Sequence, residues 1–187
     1  MRLDGESVVV RRAEMTDLSQ VETVARATWR VAYTGIIPDE VQRRLLDGWY
    51  SAESLRRALA APRSSFFVAE SNGAVIGFAQ FVRRSAESAE LARIYVLPDR
   101  QRSGVGMRLL DAGLAEFAEK GLKHLTVQVE GDNHSGRRFY EQVGFAESRE
   151  LTQDGAPGPR GTRASEGTPA KADLRQRRRL KHIRHVG

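Results

Sequence analysis

Cysteine is missing from all 187 residues, which excludes disulfide scaffolds and thiolate chemistry. No apolar run approaches the roughly 18 residues that a membrane-spanning helix needs. The opening Met-Arg-Leu-Asp-Gly-Glu lacks the pattern of a signal peptide, so a cytoplasmic protein with no membrane partner is expected. The four histidines form no ligand pattern with acidic residues, and no metal is expected. Net charge is also missing from most of the chain. From Asp154 onward nine Lys/Arg stand against three acids, so the whole formal charge of +6 sits there and the body is neutral. Any nucleic-acid binding would therefore have to come from the tail and not from the body.

What is present suits one soluble domain with a sizeable core: 40% hydrophobic and 29% charged residues. Val8-Val9-Val10 reads as a first strand. Thr16 is placed to cap a helix with Leu18, Val21, Ala25, Trp29 and Ala32 on its apolar face, broken at Gly35. Pro38 opens a second helix that Gly48 stops, and Ser51 caps a third that closes before Pro62. From Ser65 the period changes to that of strands, with Asn72-Gly73 as a hairpin turn between two β-type runs. A fourth strand follows, then a helix from Val105 to Lys120 ended by Gly121, a strand His124 to Val129, a helix capped by Asn133, and a sixth strand from Phe145 to Leu151.

The stretch from Glu90 to Met107 organises the rest. A β-type run breaks at Pro98, passes through Gln101-Arg102-Ser103-Gly104-Val105-Gly106 and becomes a helix. Unpaired amides and the positive dipole end at a helix N-terminus suit a phosphate or pyrophosphate, and the two glycines let the backbone approach it. Two rival phosphate loops fit less well. No Lys-Ser/Thr pair follows the second glycine, as a Walker loop requires, and the three-glycine dinucleotide fingerprint is incomplete.

With this loop, the strand end Tyr95-Val96-Leu97-Pro98, and Asn133, Phe139-Tyr140 and Gly144-Phe145 downstream, the chain resembles the GNAT superfamily of N-acetyltransferases over roughly Val8 to Leu151. The resemblance implies an α/β fold of the α+β type. Its mixed, mostly antiparallel sheet would have six or seven strands, flanked by helices and splayed between the fourth and fifth. It implies transfer of an acetyl group from acetyl-CoA to a primary amine by direct attack in a ternary complex, the acceptor being a small molecule, a polyamine or a protein amine.

The resemblance also assigns roles. Gln101 would brace the loop. The amides of Arg102, Ser103, Gly104, Val105, Gly106 and Met107 would cradle the CoA pyrophosphate. Ile94, Tyr95 and Val96 would pair with pantetheine like an extra strand. Asn133 would bond pantetheine or its own helix start. Tyr140 would be the general acid that protonates the leaving thiolate, and Glu90 the base that deprotonates the amine. Trp29 and Tyr33 fall where the acceptor pocket is walled, although helical core packing explains Trp29 equally well. Glu130 and Asp132 add negative charge at the end of the splayed strand that would attract a cationic amine, and Glu90, as the base, would also contact the substrate.

One departure stands out: after Leu151 no β-type run supplies the further strand with which such proteins commonly finish. Residues 1–152 are thus expected to form the acetyltransferase domain and 153–187 a basic, disordered tail. The alternative class is a non-catalytic acyl-CoA-binding module whose tail binds nucleic acid. The sequence leaves a homodimer open.

Overall fold

The computed structural model describes residues 7–130, 134–147 and 177–183, the last segment by its backbone. Strand β1 (Val8–Arg12) leads through a short 3-10 turn into helix α1 (Leu18–Ala32). Helices α2 (Asp39–Trp49) and α3 (Ala52–Ala60) follow, then the antiparallel strands β2 (Ser64–Ser71), β3 (Ala74–Arg83) and β4 (Ser88–Val96). Helix α4 (Val105–Glu119), strand β5 (His124–Glu130), helix α5 (His134–Gln142), and strands β6 (Ala146–Glu147) and β7 (Arg177–Ile183) complete the described chain.

The strands form one sheet in the order β1-β2-β3-β4-β5-β7-β6. All neighbours are antiparallel except β4 and β5, which are joined through α4 and run parallel. Each sheet face has its own core. Helices α1 and α3 cover one face through Val21, Val24, Leu55, Phe66 and Phe78. Helix α4 covers the other through Leu109, Leu110 and Phe117, against Phe81, Leu91 and Val127.

Local chemistry explains the joints. Asn72 and Gly73 both take positive φ, +51° and +78°, in the two-residue turn that matches the twist of β2 and β3. Ser51 accepts the Ser54 amide at 3.2 Å and caps α3. Thr16, by contrast, is no cap. Glu14 and Asp17 form a reciprocal capping box, and Asp17 is buried where Arg11 grips both its oxygens at 2.8 and 2.9 Å. Those bonds hold the Asp17 carboxyl below its ordinary pKa. A charged donor across the β1–α1 corner outweighed the local preference of threonine. Gly48 likewise sits inside α2 rather than ending it, and Pro38 lies one residue ahead of the helix as its N-cap.

The largest difference lies in the stretch read as tail. Arg177–Ile183 pairs along its whole length with β5, and Lys181 and Leu180 pair with Ala146 and Glu147. The described sheet therefore has seven strands, and β5 is not left as an edge. A run of Arg, Lys and His carries little β-type signal, but ladder bonds come from backbone groups that every such residue has. Of the expected sixth strand, Ala146–Glu147 is described and the rest of that expectation lies outside the described residues.

Candidate active site

Strand β4 is the axis of the site, and a bulge sets which side chains share a face. Phe81 lies opposite Leu91 and Gln80 opposite Arg93, so Ala92 is an extra residue. In a regular strand Glu90 would share a face with Ala92 and Ile94. The bulge instead aligns Glu90 with Arg93 and Tyr95 on the α1 face, while Leu91, Ile94 and Val96 pack with the α4 core.

The parallel ladder between β4 and β5 ends at Leu91–Val127. Beyond it, Ala92 to Val96 continue along β3 and Gln128 to Glu130 along β7, so the sheet splits between the two. A cleft of about 1380 Å³ passes through this split. That exceeds the roughly 300–1,000 Å³ of a typical small-ligand pocket and leaves room for two substrates end to end.

At one end of the cleft lies the loop after β4. Gln101 donates from Nε2 to the Val96 carbonyl at 3.1 Å, and the Thr28 hydroxyl reaches the same oxygen at 3.3 Å, which ties the loop and α1 to the strand end. Arg102 has φ +60° and Gly104, the N-cap of α4, has φ +84°. The first helical donor is the Arg108 amide, bonded to the Gly104 carbonyl at 3.1 Å. The amides just ahead of it have no helical acceptor, and an anion is their natural partner. A Cβ on Gly106 would stand 3.2 Å from the Phe139 ring, so glycine lets α5 lie close over the first turn of α4.

In the middle of the cleft stands Tyr140, buried between Phe139 and Phe145 at ring distances of 5.3 and 5.5 Å. Burial raises its phenol well above the ordinary tyrosine pKa, and the phenols of Tyr95 and Tyr33 add to the rise. At neutral pH this hydroxyl keeps its proton.

At the far end the walls are aromatic. Trp29 packs on Tyr33 at 4.5 Å and on Trp49 at 5.8 Å, and Tyr50 lies against Tyr95 at 6.3 Å. Gln42 donates to the carbonyls of Tyr33 and Ile37 at 3.1 and 2.8 Å and shapes the loop beneath them. The Arg93 guanidinium lies 4.9 Å from the Tyr50 ring centre. Glu90 is held by Arg84 through bonds of 2.7 and 2.6 Å.

A split beside an anion-binding turn, on a mixed sheet with helices on both faces, is matched by known proteins. The model of the Acetyltransferase (GNAT) family matches residues 25–145. The chain belongs to this family. Among curated relatives of this GNAT protein is a spermidine N(1)-acetyltransferase of Thermoplasma acidophilum, 29% identical over 143 residues that cover 74% of this chain and 88% of that one. An uncharacterised N-acetyltransferase of Bacillus subtilis, YuaI, is 32% identical over 132 residues, 68% of this chain and 75% of its own. Among solved structures, the PaiA N-acetyltransferase of Thermoplasma acidophilum, determined with coenzyme A, superposes with a TM-score of 0.77 at 23% identity, covering 95% of this chain and 99% of that one. The ribosomal-protein-S18-alanine N-acetyltransferase of Escherichia coli superposes at 0.64 with 20% identity, over 95% and 94%.

The acetyltransferase fold brings most of the expected site residues to one cleft. Trp29, Tyr33, Glu90 and Tyr140 line it, as do Ile94, Tyr95 and Val96, and so do Gln101, Arg102, Gly104, Gly106 and Met107. Two loop side chains turn away: Ser103 donates to the Arg100 carbonyl at 2.6 Å and Val105 is buried, so either could contribute only its amide. Glu130 is described by its backbone in β5, and Asp132 and Asn133 lie outside the described residues. The cleft also gathers residues that the sequence did not single out: Thr28, Arg93 and Arg138. Thr28 had a readable signal, a hydroxyl on the apolar face of α1. Arg93 had none, because the bulge that turns it toward Glu90's face is invisible in strand alternation.

Among the described residues no group of His, Asp and Glu could hold a metal ion, and no helix is long and apolar enough to cross a membrane.

Proposed function

We propose that this GNAT protein transfers the acetyl group of acetyl-CoA to a primary amine by direct attack, with Tyr140 as general acid. The observation that carries the reading is the placement of a protonated, buried phenol midway along a cleft that joins an anion-binding turn to an aromatic pocket. The relative named for spermidine acetylation and the neighbour solved with coenzyme A support this donor and this class of acceptor.

Acetyl-CoA supplies the acyl group as a reactive thioester. The amides around Gly104 and the charge of Arg102 would hold its pyrophosphate, with Gln101 keeping the turn in place. Backbone groups of Ile94 and Val96, on the side of β4 that β5 has left, would pair with the pantetheine amides, and an amide there would take negative charge developing on the thioester oxygen. Tyr140 then delivers its proton to the departing sulfur. Glu90 lines the same cleft and is the residue proposed to take the amine proton, either directly or through water. Its ion pair with Arg84 fixes its orientation.

The test is a panel of primary amines with acetyl-CoA, read by free-thiol release and by mass spectrometry of the products. Amine-dependent thiol release with a product heavier by one acetyl group is expected. Tight CoA binding with no acetylated product from any amine would overturn the reading in favour of a non-catalytic acyl-CoA-binding module.

A further inference from the structure

Among the described residues lining the cleft, a single carboxylate, Glu90, stands against three guanidinium groups, those of Arg93, Arg102 and Arg138. Arg102 and Arg138 belong to the loop and to α5, at the end where an anionic donor would sit. Arg93 does not. It is at the opposite end, among Trp49, Tyr50 and Tyr95, on the strand face that the Ala92 bulge turns toward the acceptor pocket. The one carboxylate on that face is already neutralised by Arg84 from outside.

Arg93 is also held in a way that leaves it available. Its guanidinium carbon lies 4.9 Å from the Tyr50 ring centre, the group also acts on the Tyr50 phenol through a side-chain hydrogen bond, and its Nη1 makes a long bond of 3.4 Å to the Trp49 carbonyl. No carboxylate among the described residues pairs with it. The donors that remain lie in the rigid planar fork of a guanidinium, the geometry that takes a carboxylate through two parallel bonds. A second positive charge arriving there would be repelled, whereas an anion would complete the pocket.

We propose that the acceptor is an amine that also bears a carboxylate, and that Arg93 is the residue that binds it. This rests on the acetyltransferase reading and narrows it to amino acids, ω-amino acids or short peptides with a free carboxyl end. Arg93 and Tyr95 are two residues apart on one strand face, about 6–7 Å along β4. Tyr95 and Tyr140 line the same cleft and their phenols influence one another, so the carboxylate would bind within one or two residue lengths of the reacting amine. The exposed Trp49 and half-buried Ile37 at the cleft wall give an apolar surface for the remainder of such a molecule.

The experiment uses the full chain and compares matched acceptors that differ only at the acid: phenylalanine against phenylalaninamide, an alanyl dipeptide against its C-terminal amide, and 5-aminopentanoate against pentylamine, with spermidine as the polycationic arm. The wild type is expected to favour the acid in at least one pair by about tenfold or more in kcat/KM, the scale of a charge-assisted bond in a partly desolvated site. The ratio within that pair collapses toward unity in Arg93→Gln, is partly kept in Arg93→Lys, and inverts toward spermidine in Arg93→Glu. Because the reading is a ratio within one preparation, a general loss of folded protein leaves it unchanged. A wild-type preference for the neutral or polycationic partner in every pair overturns the carboxylate assignment and leaves acetyl transfer standing. A preference for the acid that survives Arg93→Gln overturns the role of Arg93. Absence of thiol release with every acceptor overturns both readings.

Discussion

Tyr140 is the residue to which the proposed chemistry assigns the acid role. A phenol in water is a weak acid, and its burial between Phe139 and Phe145 makes it weaker still. That suits a group that must be fully protonated before the leaving thiolate appears. Replacing it in Tyr140→Phe is expected to lower kcat by about 10²–10³-fold with little change in the affinity for CoA, because the hydroxyl acts on the departing sulfur rather than on the bound ground state. Steady-state rates and calorimetric CoA binding check this together; unchanged turnover removes Tyr140 from the acid role. The direction of the pKa shift fixes the pH behaviour. The acid form is present below its raised pKa, so kcat of the wild type does not fall between pH 7 and 10 through loss of this proton. A pH-rate profile with an alkaline decline centred in that range, and absent from Tyr140→Phe, would contradict it.

At the scale of elements, glycines decide how closely helices approach the sheet. On α4 a Cβ at Gly113 would fall 2.2 Å from Phe81, a fully buried ring at the centre of the α4 core. Gly113→Ala is therefore expected to destabilise the protein by about 2–3 kcal/mol through overpacking. At Gly48, inside α2, a Cβ meets nothing within 4 Å, and Gly48→Ala is expected to stabilise by about 0.5–1 kcal/mol through helix propensity. Urea titration of both variants checks the pair, and equal effects would refute the packing account. Both glycines lie inside amphipathic helices, although the sequence reads Gly48 as a helix stop. Only the neighbour across the interface separates them.

At the scale of the whole molecule, the sheet depends on a strand that lies far from it in sequence. Residues β5 and β6 use to complete their ladders come from Arg177–Ile183. A chain ending at Gln153 is expected to show a lower melting temperature and to self-associate through the uncovered edge of β5, measured by circular dichroism and size-exclusion chromatography. An unchanged melting temperature would show that 1–152 suffices as a domain. The anion-binding turn, both amphipathic helices α1 and α4, the hairpin at Asn72-Gly73 and the Phe139-Tyr140 pair were all legible in the residues, because each is local: a period, a cap, or a spacing within one or two turns. The bulge at Ala92, the pairing of β7 and the convergence of Thr28 and Gln101 on the Val96 carbonyl were not, because each depends on which strand lies alongside. By itself the sequence determined the local elements from β1 to α5 and the glycine turn that opens α4, because each rests on neighbours in the chain. Tertiary structure decided which charges share the cleft, since backbone pairing between distant segments, rather than the residues of β4 alone, sets Arg93 on the same face as Glu90 and Tyr95.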